Sequence, residues 1–120
     1  MDALTFKSAD EIKVMSIGGQ KLAEVKKELK KLVKEGVRAS EIEETAINLI
    51  KKEGGKPSFM MVPGYRWATC VNINEGLVHG IPTKDLIFKK GDVVSVDVGM
   101  FFKGFHTDTS FTLAIYKYLI

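Results

Sequence analysis

Two strand-like runs separated by a short turn constrain the fold more than any other feature of the sequence. One runs from Val93 to Phe101 and the other from Phe105 to Leu113, with a glycine between them. Such runs around a turn predict a β-hairpin. Side chains alternate between the two faces of a strand. We therefore expect one apolar face, with Val94, Val96, Val98, Met100, Phe105, Phe111 and Leu113, and one polar face, with Ser95, Asp97, His106, Asp108, Ser110 and Thr112.

Asp97 and Asp108 share the polar face of this predicted hairpin. A turn centred between Phe102 and Lys103 puts the two carboxylates directly opposite each other, and a shift toward Gly104 makes them diagonal neighbours. Carboxylates this close repel each other unless one takes a proton or a cation lies between them. Paired hydrolytic metals use such ligands. The pair indicates either one wall of a dinuclear metal site or an ordinary solvated strand face.

The first half of the sequence predicts two helices. Ser8 and Glu11 form a capping box at the start of the first, and Gly18-Gly19 within it suggests close packing against another backbone. The second is predicted to begin at Ser40, with Glu43 as its box partner. The apolar positions of the first helix recur at helical spacing, at Ile12, Met15, Leu22, Val25, Leu29 and Leu32.

Composition limits the setting and the partners. A formal charge of +3 permits an acidic partner without requiring one. The single cysteine, Cys70, excludes an internal disulfide and suits a reducing compartment. Because no apolar run approaches membrane-spanning length, we expect a cytoplasmic protein without a membrane partner. The lysines of the first helix are either a solvated face or a weak electrostatic contact with RNA, and specific nucleic-acid binding is not expected.

The middle of the chain has a different character. The stretch from Lys56 to Arg66 holds two prolines and bulky apolar side chains, so it is either a pocket wall or a connector packed on the core. Trp67 to Ile73 reads as a strand, and Leu77-Val78 as a short return strand. His79 follows that strand, where its imidazole either reaches into a cleft or serves the structure.

Several motifs together resemble type I methionine aminopeptidase. They are Asn74-Glu75 with His79-Gly80-Ile81-Pro82, then Gly91-Asp92-Val93-Val94-Ser95-Val96-Asp97-Val98-Gly99, then Gly104-Phe105-His106-Thr107-Asp108-Thr109-Ser110. Their order and spacings agree as well as their residues. The resemblance covers nearly the whole chain, including the opening helix and the segment from Gly64 to Cys70.

The resemblance implies an α+β fold in which residues 1–120 form a single half pita-bread domain, with two helices packed on an antiparallel β-sheet. It implies removal of N-terminal methionine from peptides or nascent proteins with a divalent metal, which is cobalt, manganese, iron or zinc. Asp97 would chelate one metal and Asp108 would bridge two. His79 would act as the catalytic residue that contacts substrate near the scissile amide. Tyr65 and Cys70 match positions that line the methionine side-chain pocket, to which Phe59 to Val62 would add.

The sequence departs from the family in length. The family chain is about twice as long, and its other metal ligands, a histidine and two glutamates, come from the second half. A homodimer is therefore expected to bring together Asp97 and Asp108 of two subunits, with Tyr118-Leu119-Ile120 and the outer hairpin strand at the seam. The basic first helix would make at most a weak ribosome contact. The alternative is a catalytically silent pita-bread module that binds peptides or proteins, or an inactive half-domain.

Overall fold

The computed structural model describes residues 7–74 and 80–116. Two helices come first, and four strands with one short 3₁₀ turn follow. In chain order the elements are α1 (Ala9–Leu32), α2 (Ala39–Lys52), β1 (Lys56–Pro57), the 3₁₀ turn (Phe59–Met61), β2 (Thr69–Ile73), β3 (Val93–Phe102) and β4 (Phe105–Ala114). Within the described residues, no helix is both long enough and apolar enough to cross a membrane.

The sheet is built around β3, the long central strand. β4 pairs antiparallel with β3 along its whole length. β1 and β2 both pair antiparallel with the other edge of β3. β2 pairs with its first half and β1 pairs with its last residues. The expected antiparallel sheet with two helices packed on it is confirmed, and it belongs to the α+β class.

The core lies between the helices and the apolar face of the hairpin. Buried side chains of α1 and α2 meet the even-numbered residues of β3, as the alternation predicted. They are Leu22, Val25, Leu29, Ile42, Ala46, Ile50, Val94, Val96, Val98 and Met100. Of the apolar positions predicted for the first helix, Ile12 is 57% exposed and lies outside this core.

The capping predictions have different outcomes at the two helices. At α1 the Ser8 hydroxyl accepts from the Glu11 amide at 3.1 Å, and the Glu11 carboxylate accepts from the Ser8 amide at 2.8 Å, so the predicted box is confirmed. At α2 the prediction is wrong, because the N-cap is Arg38, two residues before Ser40, and Glu41 accepts from the Arg38 amide at 2.7 Å. Glu43 therefore lies two positions further into the helix than the predicted box required, and its side chain turns toward the core.

Gly18-Gly19 does not interrupt α1, which is continuous through both residues. A Cβ added at Gly18 would lie 3.5 Å from the Phe102 ring, so the close neighbour is an aromatic side chain and not the backbone that was expected. The predicted strand from Trp67 begins later, at Thr69. The predicted return strand at Leu77-Val78, His79 and the seam residues 118–120 lie outside the described residues.

Candidate active site

The hairpin turn decides how the two carboxylates are arranged. Lys103 and Gly104 form a two-residue loop and both have positive φ, 46° and 90°, the geometry of a tight hairpin turn. Phe102 therefore pairs with Phe105, which is the second of the two turn positions that the sequence allowed. Asp97 lies opposite Ser110 and Asp108 lies opposite Gly99, so the two aspartates are diagonal neighbours about 7–8 Å apart.

Asp97 and Asp108 lie on the face of the sheet that points away from the helices, hereafter the acidic face. Together with Phe59, Thr109 and Ser110, they line an open cleft of about 570 Å³. Burial raises the pKa of the Asp97 carboxyl, and the negative charge of Asp108 raises that pKa further. An elevated pKa of this origin means that a cation beside the pair would relieve an electrostatic cost.

An apolar cavity of about 220 Å³ lies beside the acidic cleft. Its lining consists of Phe59, Val62, Tyr65 and Cys70. Cys70 is the β2 residue that pairs with Asp97, so the strand register places cavity and carboxylate side by side. Phe59 lines both the cavity and the cleft.

Two hydrogen bonds hold the tyrosine of this cavity in place. Its phenol donates to the Thr69 carbonyl oxygen at 2.6 Å and lies 3.1 Å from the Cys70 Sγ. Since the phenol proton is used by Thr69, the thiol is the donor in the second contact. Burial and the Cys70 hydrogen bond raise the pKa of Tyr65 far above its usual value, so the phenol stays neutral.

The 3₁₀ turn reaches the sheet because Gly99 has no side chain. A Cβ at Gly99 would lie 2.9 Å from Phe59 Cε1 and 3.0 Å from Ser58 Cβ. The Ser58 amide donates to the Gly99 carbonyl oxygen at 3.0 Å, and the Ser58 hydroxyl hydrogen-bonds to Nδ1 of His106. The turn that carries Phe59 is thus fastened to β3 and to β4.

Four of the five site residues predicted from the sequence can be placed in the structure. Asp97 and Asp108 share the acidic cleft, and Tyr65 and Cys70 share the apolar cavity. His79 lies outside the described residues, but its neighbour Gly80 accepts a hydrogen bond from the Val71 amide of β2 at 2.7 Å. A Cβ at Gly80 would lie 3.1 Å from Cys70 Cβ, so the backbone after His79 passes directly beside the cavity.

Two contributors were missed by sequence reasoning. The Ser58–His106 contact joins residues 48 positions apart, and no local pattern indicates it. Glu43 is buried, with only 8% of its surface exposed, and it accepts from the Ala68 amide and from both the amide and the hydroxyl of Thr69. A glutamate inside an otherwise apolar helix face was the available signal, since acidic residues are seldom buried without partners.

Two candidate metal donors, Asp97 and Asp108, line the acidic cleft. Among the described residues, no three His, Cys, Asp or Glu side chains gather into a group that could hold a metal ion. The pair Asp97 and Asp108 is nevertheless the oxygen donor set that hard and borderline divalent ions accept.

Comparison with known proteins decides the family. The sequence profile of metallopeptidase family M24 matches residues 13–118. The chain belongs to this family. It is 38% identical over 109 residues to methionine aminopeptidase 1 of Bacillus subtilis, with 91% of this chain and 44% of that protein covered.

Solved structures of other proteins show the same fold. Methionine aminopeptidase from Thermotoga maritima superposes with a TM-score of 0.89 at 37% identity, over 95% of this chain and 46% of that one. Prolidase from Pyrococcus furiosus superposes with a TM-score of 0.77 at 21% identity, over 91% of this chain and 31% of that one, a likeness of fold alone. The chain spans about half the length, or less, of the relatives it matches.

Proposed function

We propose that this M24 chain takes part in metal-dependent removal of methionine from the N-terminus of peptides or nascent proteins. The observation that supports the proposal most is the adjacency of two unlike sites. An acidic cleft with Asp97 and Asp108 and an apolar cavity with Tyr65 and Cys70 share Phe59 as a common wall. A substrate with a thioether side chain beside its scissile amide requires these two environments next to each other.

The cavity is assigned to the methionine side chain. Its lining offers apolar carbon atoms, aromatic ring edges and one sulfur atom, which suit a flexible and polarizable thioether. The phenol and the thiol are already hydrogen-bonded to Thr69 and to each other, so they present little unsatisfied polarity to an apolar group. His79 is proposed to contact substrate near the scissile amide, in keeping with the course of the backbone at Gly80 beside Cys70.

Asp97 and Asp108 are proposed as the metal ligands that this chain contributes. They fit a divalent cation because they share a face and lie diagonally across one hairpin, and because burial and the charge of Asp108 raise the pKa of the Asp97 carboxyl. When bound, such an ion polarises a carbonyl and lowers the pKa of a coordinated water. Cobalt, manganese, iron and zinc are all compatible with carboxylate ligands.

A second acidic face is proposed to complete the site. Two carboxylates are too few for a tight dinuclear centre, and the acidic face points away from the helices, where another sheet could meet it. A second copy of this chain, related by a twofold axis, would supply the same two carboxylates again. The outer edge of β4 is proposed as part of this contact, and the ribosome contact of α1 stays a prediction.

Metal binding gives the first test. Isothermal titration of the metal-free chain with Mn²⁺ or Co²⁺ should detect uptake that Asp108→Asn weakens by at least about tenfold, since it removes one of two carboxylates. Asp85→Asn is the matched control, because Asp85 is exposed and away from the cleft. Equal metal affinity of Asp108→Asn and the unchanged chain would refute the metal assignment.

Turnover and assembly are tested separately. Release of methionine from the peptide Met-Ala-Ser in the presence of Co²⁺ or Mn²⁺ would support the proposed reaction, and peptide binding without turnover, unaffected by a chelator, would favour the silent binding module. Sedimentation at tens of micromolar protein should show a dimer. A monomer that nevertheless turns over peptide would refute the need for a second acidic face.

A further inference from the structure

Glu43 connects the helical layer to the first strand residues next to the apolar cavity. It extends from α2, and its carboxylate accepts from the Ala68 amide at 2.7 Å, from the Thr69 amide at 3.0 Å and from the Thr69 hydroxyl at 2.7 Å. Thr69 is fully buried. None of the ion pairs within residues 7–74 and 80–116 includes Glu43, so these three donors are what compensates its burial there.

Thr69 passes this constraint to the opposite face of the sheet. Its side chain lies on the helix face, but its carbonyl oxygen accepts the hydrogen bond of Tyr65, and the next residue is Cys70. Tyr65 and Cys70 both line the apolar cavity. The buried Glu43 carboxylate therefore holds the Thr69 backbone in place. That backbone leads directly into Cys70 and accepts the hydrogen bond of Tyr65.

We propose that Glu43 is the positioning residue of the apolar cavity, which it shapes through Thr69 without touching whatever occupies it. The inference deepens the proposed function, since that function assigns the cavity to a methionine side chain. A glutamate is required because only a carboxylate offers acceptors on both oxygens. Glutamine would present an amide N–H toward the Ala68 N–H and would lose that hydrogen bond.

The chain contains its own reporters of the cavity. Cys70 is its single cysteine, and the single tryptophan, Trp67, packs edge-on against Tyr65 with ring centroids 5.4 Å apart. The rate of Cys70 alkylation by iodoacetamide and the fluorescence of Trp67 can thus be read without metal, turnover or substrate. Failure of the aminopeptidase reaction would leave these readings unchanged, so the two hypotheses fail separately.

The test compares Glu43→Gln with two controls. Glu44→Gln makes the same chemical change on an exposed neighbour, and Ile50→Val weakens the core of α2 away from the cavity. Loss of a hydrogen bond to a charged group shifts a local opening equilibrium by about tenfold or more. Glu43→Gln should therefore alkylate at Cys70 about tenfold faster and change the Trp67 emission, while both controls stay within about twofold of the unchanged chain.

Two results would overturn the proposal. One is an alkylation rate for Glu43→Gln within about twofold of the unchanged chain. The other is an equally large acceleration of Cys70 alkylation in Ile50→Val when the two variants have the same unfolding midpoint. The faster alkylation would then result from lower global stability and not from loss of the Glu43 contacts. If Glu43→Gln does not fold, Thr69→Val removes only the hydroxyl donor and should accelerate alkylation in the same direction by a smaller factor.

Discussion

Replacing Gly99 by alanine should displace the turn that walls both parts of the candidate site. The added methyl would lie 2.9 Å from Phe59 Cε1 and 3.0 Å from Ser58 Cβ, closer than carbon atoms approach without a shift. The turn cannot simply lift away, because Ser58 is hydrogen-bonded to the Gly99 carbonyl and to His106. Alanine is thus accommodated only by breaking these bonds or by moving the strand.

The expected magnitude follows from two opposing effects. Overpacking of this kind costs about 1–3 kcal/mol. Alanine recovers about 0.5–1 kcal/mol, because it loses less backbone entropy than glycine on folding. The net destabilisation should therefore be about 1 kcal/mol, which moves a urea midpoint down by about 0.5 M at a typical m-value.

Gly19→Ala is the matched control. Apart from its chain neighbours and the backbone of its own helix, a Cβ at Gly19 would meet no atom of the described residues within 4 Å, and the position is inside α1. The same substitution should therefore stabilise the chain there by about 0.5–1 kcal/mol through helix propensity. The two variants should differ by about 2 kcal/mol, with opposite signs relative to the unchanged chain.

Urea unfolding followed by circular dichroism and by Trp67 fluorescence measures both variants. The m-values should be unchanged, since neither substitution alters the surface exposed on unfolding. A Gly99→Ala midpoint at or above that of the unchanged chain would refute the close approach of the 3₁₀ turn to β3. Destabilisation by Gly19→Ala of equal size would show that the effect is not specific to the site.

Two further predictions concern the acidic face and the buried face of the hairpin. The pKa of Asp97 is raised in the fold, so the native state binds more protons than the unfolded chain, and stability falls as pH rises through that pKa. Without divalent metal, the thermal midpoint of Asp97→Asn minus that of the unchanged chain should therefore increase between pH 4 and about pH 7. A difference that does not change with pH would contradict this prediction. Among the described residues the Thr107 hydroxyl is buried without a hydrogen-bond partner, so Thr107→Val should stabilise the chain by about 1 kcal/mol in the same urea assay, whereas Thr107→Ser, which keeps the hydroxyl, should not.

Local patterns in the sequence determined the hairpin, its two faces and the start of α1. Alternation with a period of two places Asp97 and Asp108 on one face whichever register the strands adopt within the two allowed turns. The Ser8 and Glu11 box is an interaction over three residues, so it is readable without any tertiary contact. The motif order also indicated the family, which the comparisons show.

Only the tertiary structure decided the register of the hairpin, the partner of Glu43 and the wall that the acidic cleft and the apolar cavity share. The register depends on which residues take positive φ, and Lys103 does so because the paired strands close at Phe102 and Phe105. Glu43 reaches Thr69 because packing of α2 on the sheet outweighs a local cap. Phe59 forms a wall of both cavities because Gly99, 40 positions later in the chain, leaves space for it. Contacts of this kind depend on packing between distant segments, and a local pattern carries no information about them.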